Sequence, residues 1–452
     1  MTAFNFKMNA LYETLPLISD VTYEDLPAQE IIRKILTAMV PDLKSRDYCE
    51  EVEENLRVFD QNQGMVLIHY LDPTSKNKNH RLANRFHGLI IDLVEQRVVA
   101  DAMPYTEERE ARQIILTSEG LKYTDSEDEH AAILYTENIS MMYALEGTVL
   151  RLFYSSRLEK WFLSTHRKID GSRSRWSGPR FSSILTEEYP DFWDMVEKDF
   201  NKNNCYMLMV HHPANRLAHI STSAKVCCVN IFERSGPNSP GLSLSLDIPE
   251  FVGKIPTNKG LILPKSDWST DINSFCVLVN QNNELLPITN NVLIYDHNLK
   301  GCIKLITPEY SRLRSLRGNE PNLSLRYMQL KYDVKDTDRL EEFMRLFPEH
   351  KAEFDKLANA EQDIAAFLAD VYMRRYVQNK YVKLSHPGHF VLKTLHQTAD
   401  RNMFNNDVQG AILEKLKLSN AGQMYTMYRE ATNPLLVTPS GSPNPKGLVV
   451  TR

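Results

Sequence analysis

An α+β fold with a mainly antiparallel sheet, flanked by helical regions, is what this 452-residue sequence predicts. Three observations predict it. From about residue 64 to 306, short runs rich in Val, Ile, Tyr and Phe recur, bounded by Asn, Gly, Pro and Asp. Helical stretches such as Pro190–Lys202 interrupt those runs, a mixture that reads as α+β. On either side of this region, apolar residues recur at helical spacing.

The elements can be taken in chain order. Residues 24–58 read as helical from Leu26, Ile31, Ile32, Ile35, Leu36 and Met39, with Pro41 interrupting the pattern. The strand runs are Met65–Tyr70, Gly88–Val94, Thr148–Tyr154, Lys160–Thr165, Tyr206–His211, Lys225–Phe232, Phe275–Val279, Asn291–Tyr295 and Gly301–Ile306. From about residue 337 the chain turns helical again, and Phe354, Leu357, Ile364, Phe367, Leu368, Val371, Tyr372 and Tyr376 form a core stripe. Residues 433–452, with their Pro, Ser and Gly, read as a disordered tail. The resulting division is 1–60, a helical segment; 61–312, the β-rich domain; 313–432, a helical domain; and the tail. Arg312–Asn319 with Arg326 reads as a charged linker into the helical domain. No internal repeat is visible.

Composition sets the class. With 42% hydrophobic and 25% charged residues the chain is an ordinary soluble globular one, long enough for two or three domains. No run of eighteen apolar residues exists, so no membrane span is expected. Met1–Asn9 has no secretion-signal pattern, and an intracellular site, cytoplasmic or nuclear, is expected. The six cysteines are scattered and form no Cys-x-x-Cys pair, which favours buried reduced thiols over a zinc site. A net charge of −5 argues against a dedicated nucleic-acid coat. Its distribution is uneven, however: residues 151–180 carry eight Lys/Arg against two acids, and 312–331 add five against Glu320. Such segments suit either a local anionic ligand such as phosphate or a solvated charged face.

One motif carries chemistry directly. Lys168-Ile169-Asp170-Gly171-Ser172-Arg173 has the form of the Lys-x-Asp-Gly signature of covalent nucleotidyltransferases. There the lysine attacks the α-phosphate of ATP and carries AMP as a phosphoramidate. Desolvation or neighbouring cations must depress its pKa so that some of it is free amine. The glycine lets the backbone pass close to the nucleotide.

Three further segments, in order, resemble the phage-type RNA ligase 1 family of ATP-dependent RNA-sealing enzymes. The first is Arg85–Asp92 with Val98–Pro104, similar to the family's Arg-Gly strand; His87 stands where its arginine contacts the triphosphate, unless Arg85 substitutes. The second is Cys205–Arg234, whose Pro213-Ala214-Asn215-Arg216-Leu217 is similar to the Pro-x-Asn-Arg turn between two strands, the most specific of the matches. The third is Val292–Tyr310, similar to the last two active-site strands. The resemblance implies a nucleotidyltransferase fold, of the ATP-grasp-like ligase-adenylation kind, over 61–312.

The same resemblance sets the register. Tyr143–Arg151 matches the lysine motif with Ala144 in the lysine's place, while Lys168–Ser172 matches the hairpin return that comes after it. The glutamate before the Pro-x-Asn-Arg turn is Met209 here, and the Glu-Gly of the penultimate strand falls at Asn290-Asn291 or Asn291-Val292. Of two lysines on the last strand Lys304 remains and Ile306 replaces the other. In the family those carboxylates serve Mg²⁺ or ribose and those lysines neutralise the α-phosphate.

By the resemblance the phosphate- and nucleotide-binding residues are His87, Glu146, Gly147, Thr148, Arg151, Arg167, Arg173 and Arg216, with Lys304 catalytic and Lys168 catalytic only in an active enzyme. Three readings are open. A degenerate RNA ligase-like protein binds RNA or a nucleotide, with a protein partner on its C-terminal helical domain. An active ligase uses Lys168 with ATP and Mg²⁺, taking Glu146 and Asp170 as the nearest carboxylates. A structural or virion scaffold uses the fold alone. Trp161, Trp176 and Tyr154 lie among the bases as stacking candidates or core, and His211 and His212 read as strand-end hydrogen-bonding groups rather than ligands.

Overall fold

The computed structural model describes residues 56–71, 86–95, 97–103, 106–110, 114–116, 120–123, 134–135, 139–176, 178–216, 223–234, 242–245, 248–261, 289–296, 301–398 and 407–433. The helix expected over 24–55, the strand Phe275–Val279 and the tail 434–452 lie outside them. The chain divides into two compact units, Met1–Leu313 and Arg314–Arg452.

The first unit is a mixed α/β structure with eighteen strands among the described residues. They are β1 (Leu56–Asn62), β2 (Met65–Tyr70), β3 (His87–Asp92), β4 (Arg97–Ala100), β5 (Thr106–Glu110), β6 (Ile114–Leu116), β7 (Gly120–Tyr123), β8 (Leu134–Tyr135) and β9 (Ile139–Leu145). Next come β10 (Thr148–Ser155), β11 (Lys160–Ser164), β12 (Cys205–His211), β13 (Lys225–Glu233), β14 (Ser243–Ser245), β15 (Phe251–Val252), β16 (Ile255–Pro256), β17 (Thr289–Asp296) and β18 (Gly301–Ile306). Residues 56–58, the end of the helix expected over 24–58, are therefore strand. Leu56 is buried and Val58 and Phe59 pack on the core, with Phe59 the extra residue of a register shift, while Arg57 and Gln61 are exposed.

Three sheets build most of this unit. They run in the orders β1-β2-β3-β4, β11-β10-β12-β13-β14 and β5-β18-β17-β9. Among the described strands every pairing is antiparallel except that of β18 with β5. The five-stranded sheet is apolar on both faces. Leu150, Leu152, Leu163, Leu208 and Val210 pack one face against the helices Phe181–Glu188 and Phe192–Asp199. Phe153, Phe162, Met207, Cys227 and Val229 take the other face and join the core of the β1–β4 sheet. That double burial explains why β10, β12 and β13 read as nearly continuous apolar runs rather than clean alternation. Cys205, Cys227, Cys228 and Cys302 are buried free thiols, and burial raises each above the ordinary thiol range.

In the second unit, Phe343, Phe354, Leu357, Ile364, Leu368, Val371, Leu392, Ile412 and Met424 share one core. The expected stripe splits at Asn359 between two helices, Lys351–Ala358 and Ala360–Tyr372. The charged linker expected at Arg312–Asn319 is instead helix through Arg317, within Pro308–Arg317. Its basic residues terminate that helix. Arg326 donates Nε and Nη2 to the carbonyls of Leu316 (3.0 Å) and Ser315 (2.9 Å), and buried Arg317 donates to Glu320 O. The Leu316 and Ser315 carbonyls are orphans of the last turn, satisfied by arginine. Among the described residues no helix is long and apolar enough to cross a membrane.

Candidate nucleotide cavity

A cavity of about 230 Å³ is lined by two sheets of the first unit, β5-β18-β17-β9 and the five-stranded one. Strand register explains its membership. Ala144 pairs with Asn291, Leu293 with Lys304, and Lys304 with Glu108. Partners across a ladder share a face, and so do residues two apart on one strand. Ala144, Asn291, Leu293, Lys304 and Glu108 therefore stand on one face of the β5-β18-β17-β9 sheet. Val149, Met207, Met209 and Val229 line the cavity from the five-stranded sheet, with Val149 opposite Met209.

The turn between β9 and β10 brings Glu146 and Gly147 into the same lining. A side chain at Gly147 would stand 2.6 Å from Val210 O, so only glycine lets this turn lie against β12. Tyr310 lines the cavity from the helix after β18.

The electrostatics centre on one cation. The Lys304 side chain is 16% exposed, its Nζ lies 3.8 Å from Glu108 Oε1 and 4.9 Å from the centroid of the Tyr310 ring. Burial lowers the Lys304 pKa below the ordinary lysine range, and Glu146 pulls it back up. Burial, and then Glu146, holds the Tyr310 hydroxyl well above the ordinary tyrosine range. Glu146 is 4% exposed. Asn291, directly across from Ala144, is buried, and among the described residues its Oδ1 accepts no hydrogen bond. A buried carbonyl oxygen of that kind calls for a partner such as a water or a ligand.

Chemically, this is a partly apolar chamber with one lysine, Lys304, two carboxylates, Glu108 and Glu146, and the methyl group of Ala144 in its lining. The Ala144 methyl group is no nucleophile, and the Met209 thioether is a poor ligand for a hard divalent cation. Glu108 and Glu146 are the carboxylates of the lining that could face a Mg²⁺ carried in by a nucleotide.

The expected site residues divide between this cavity and other places. Ala144, Glu146, Gly147 and Lys304 line it. Thr148 sits next to them at the start of β10, paired with Val210. Lys168 does not line it. Its side chain is 56% exposed and its Nζ lies 3.2 Å from Asp60 Oδ1, while the other carboxylate oxygen accepts from Ile169 N at 2.9 Å. Ile169 is fully buried, so the Lys-Ile-Asp-Gly stretch is a turn pinned to β1. An exposed ion pair of this sort contributes about 0–1 kcal/mol and is far from a desolvated amine.

Arg151 is buried at 1% exposure and serves the backbone. It donates Nη1 to Gly88 O, and Nη2 to Thr165 O at 2.7 Å. Arg167 lies over the Phe59 ring (5.7 Å) and is exposed, as is Arg173. Arg216 is buried after the 3-10 turn Pro213–Asn215. His212 caps that turn by accepting from Ala214 N at 3.1 Å. Trp161 donates to Glu197 Oε2 at 3.0 Å and packs, like Trp176, against the core beneath the helices. The basic segment 151–180 thus spreads over several tasks rather than converging on one ligand.

His87 lies elsewhere, beside His69 and His166. Its ring centroid is 5.0 Å from His69 and 4.9 Å from His166. Burial first, then His87 and the cations Arg151 and Arg167, hold the His166 ring well below the ordinary histidine range, so that it is neutral at pH 7. Sequence spacing gave no sign of this cluster, because the three residues come from separate elements. Glu108 was equally hidden, lying in the strand Thr-Glu-Glu-Arg-Glu, which has no apolar residue to mark it.

No family model matches the chain. Among curated proteins, one named "Immediate-early protein ICP-46 homolog", from Invertebrate iridescent virus 3, is 25% identical over 250 residues. Those residues are 54% of this chain and 50% of the relative, so the chain spans about half the length of the curated relative it matches. Among solved structures, an archaeal ATP-dependent RNA ligase aligns at 11% identity and a TM-score of 0.35, covering 68% of this chain and 75% of that one. A candidate ATP-dependent DNA ligase from Aquifex aeolicus aligns at 11% identity and 0.33, covering 79% and 89%. Over about half its length, the chain is thus similar in sequence to a viral immediate-early homologue.

Proposed function

We propose that this chain is an RNA ligase-like protein of nucleotidyltransferase fold that binds a nucleotide or RNA phosphates in the β9–β18 cavity without forming lysyl-AMP. One observation supports this above the rest. Ala144, Met209 and Lys304, the positions aligned with the family's lysine, glutamate and first last-strand lysine, all line one cavity, and only the last keeps its chemistry. Lys304 then holds the phosphate, Glu146 faces it, and Met207, Met209 and Val149 form apolar walls for a base. ATP with Mg²⁺ is the cofactor of the alternative, an active ligase at Lys168. The Asp60 ion pair and the exposure of Lys168 weigh against that alternative.

Filter retention tests the binding. Purified protein is expected to retain labelled ATP or single-stranded RNA at low salt and to release RNA as salt rises, with a log–log slope of about −0.7 per phosphate contacted. Failure to retain either ligand at low salt would contradict the reading and leave the fold as scaffold.

A further inference from the structure

We propose that His69, His87 and His166 form a metal site for a zinc-class divalent ion, distinct from the nucleotide cavity. One ring nitrogen of each lies within 4.8 Å of a ring nitrogen of the other two. The rings arrive from three places in the chain. His69 lies on β2, His87 is its cross-strand partner at the start of β3, and His166 lies just beyond β11. A register shift opposite Ile68 and His69 leaves Gly88 as the extra residue of β3 and re-aims that strand at this point, as bulges do beside sites.

The surrounding hydrogen bonds prepare the rings for coordination. His69 Nδ1 lies 2.6 Å from Tyr70 O, and His87 Nδ1 lies 3.0 Å from Met103 O. A carbonyl only accepts, so each Nδ1 is the donor in its contact. Metal-ligating histidines are commonly fixed in this way, one ring nitrogen on a carbonyl and the other on the ion. His166 contributes the complementary observation. Its Nδ1 is shut off from solvent and, among the described residues, makes no hydrogen bond. A buried ring nitrogen of that kind calls for a partner.

Gly88 keeps the space beside that nitrogen open. It adopts φ +98°, and a Cβ there would stand 3.5 Å from His166 Nδ1 and 3.3 Å from Arg151 Nη1. The left-handed backbone and the missing side chain both belong to this corner of the fold.

The donor set selects the ion. Three imidazoles suit Zn²⁺ and its first-row neighbours, whereas Mg²⁺ and Ca²⁺ need oxygen ligands that the cluster lacks. Three protein ligands leave a fourth position on a tetrahedral ion. Arg151 and Arg167 are cations beside His166, and their charge favours an anion, such as hydroxide or a phosphate oxygen, in that position.

The test uses the full chain, stripped with chelator and dialysed. Co²⁺ is added as the probe, and Zn²⁺ afterwards in competition. The expected result is one Co²⁺ per chain with the intense visible absorption of a tetrahedral ion, displaced by Zn²⁺. His166→Gln and His87→Gln should each weaken binding by at least the roughly 10–100-fold that loss of an outer-shell partner costs. His212→Gln, outside the cluster, should leave it unchanged. No tetrahedral Co²⁺ spectrum in the unmodified protein overturns the site whether or not the variants fold. Binding that survives both cluster substitutions overturns it equally.

Discussion

Arg151→Met is expected to destabilise the first unit by about 2–6 kcal/mol, measured as a fall in the denaturant midpoint at unchanged slope. The guanidinium is 1% exposed and bridges Gly88 O on β3 to Thr165 O after β11. Burial lowers its pKa to about 10, so it remains charged at neutral pH. Methionine fills the space of the stem but takes this donor from the buried Gly88 carbonyl and the part-buried Thr165 carbonyl, at roughly 1–3 kcal/mol for each. Arg151→Lys is expected to recover little, because an ammonium cannot span two carbonyls as a planar fork does. A loss under about 1 kcal/mol would remove this structural role and make Arg151 a ligand-binding candidate again.

Lys304→Met is expected to weaken nucleotide binding by about 10–100-fold, since a charge-assisted hydrogen bond contributes about 1.5–3 kcal/mol and each 1.4 kcal/mol is tenfold. Methionine keeps the apolar stem within the β17–β18–β5 row, so the fold should hold and thermal melting should confirm it. Lys168→Ala should leave binding unchanged, because Lys168 is an exposed partner of Asp60 outside the cavity. The pH profile probes the same charge a second way. Burial lowers the Lys304 pKa, so its charge is lost at lower pH than that of an ordinary lysine. Nucleotide affinity should therefore fall on the alkaline side before exposed lysines titrate, and Lys304→Met should abolish that limb. Equal affinity in the two proteins across pH would place the ligand elsewhere.

How legible this structure was in the sequence depended on burial. Met65–Tyr70, Gly301–Ile306 and Lys225–Glu233 are strands whose apolar residues pack in the core, and their Val, Ile and Leu content announces them. β5 has no apolar residue and is held by the ladder to β18, so local pattern could not mark it. The helix ending at Arg317 hid behind its charges, because arginines at its end bind carbonyls rather than meet solvent. The cavity was partly legible. The register that set Ala144 in the lysine's place also set Met209 and Lys304, and those three meet. The His87 ring lies against His69 and His166, a juxtaposition made by a cross-strand pair and a hairpin end that no spacing rule encodes.

Self-adenylylation tests the central claim most directly. The protein is incubated with α-labelled ATP and Mg²⁺ or Mn²⁺, denatured, and assayed for covalent label. With Ala144 facing the cavity and Lys168 paired to Asp60, the expected result is no covalent label in protein that still retains ATP on a filter. A hydroxylamine-labile adduct that disappears in Lys168→Ala would contradict this and make the chain an active ligase.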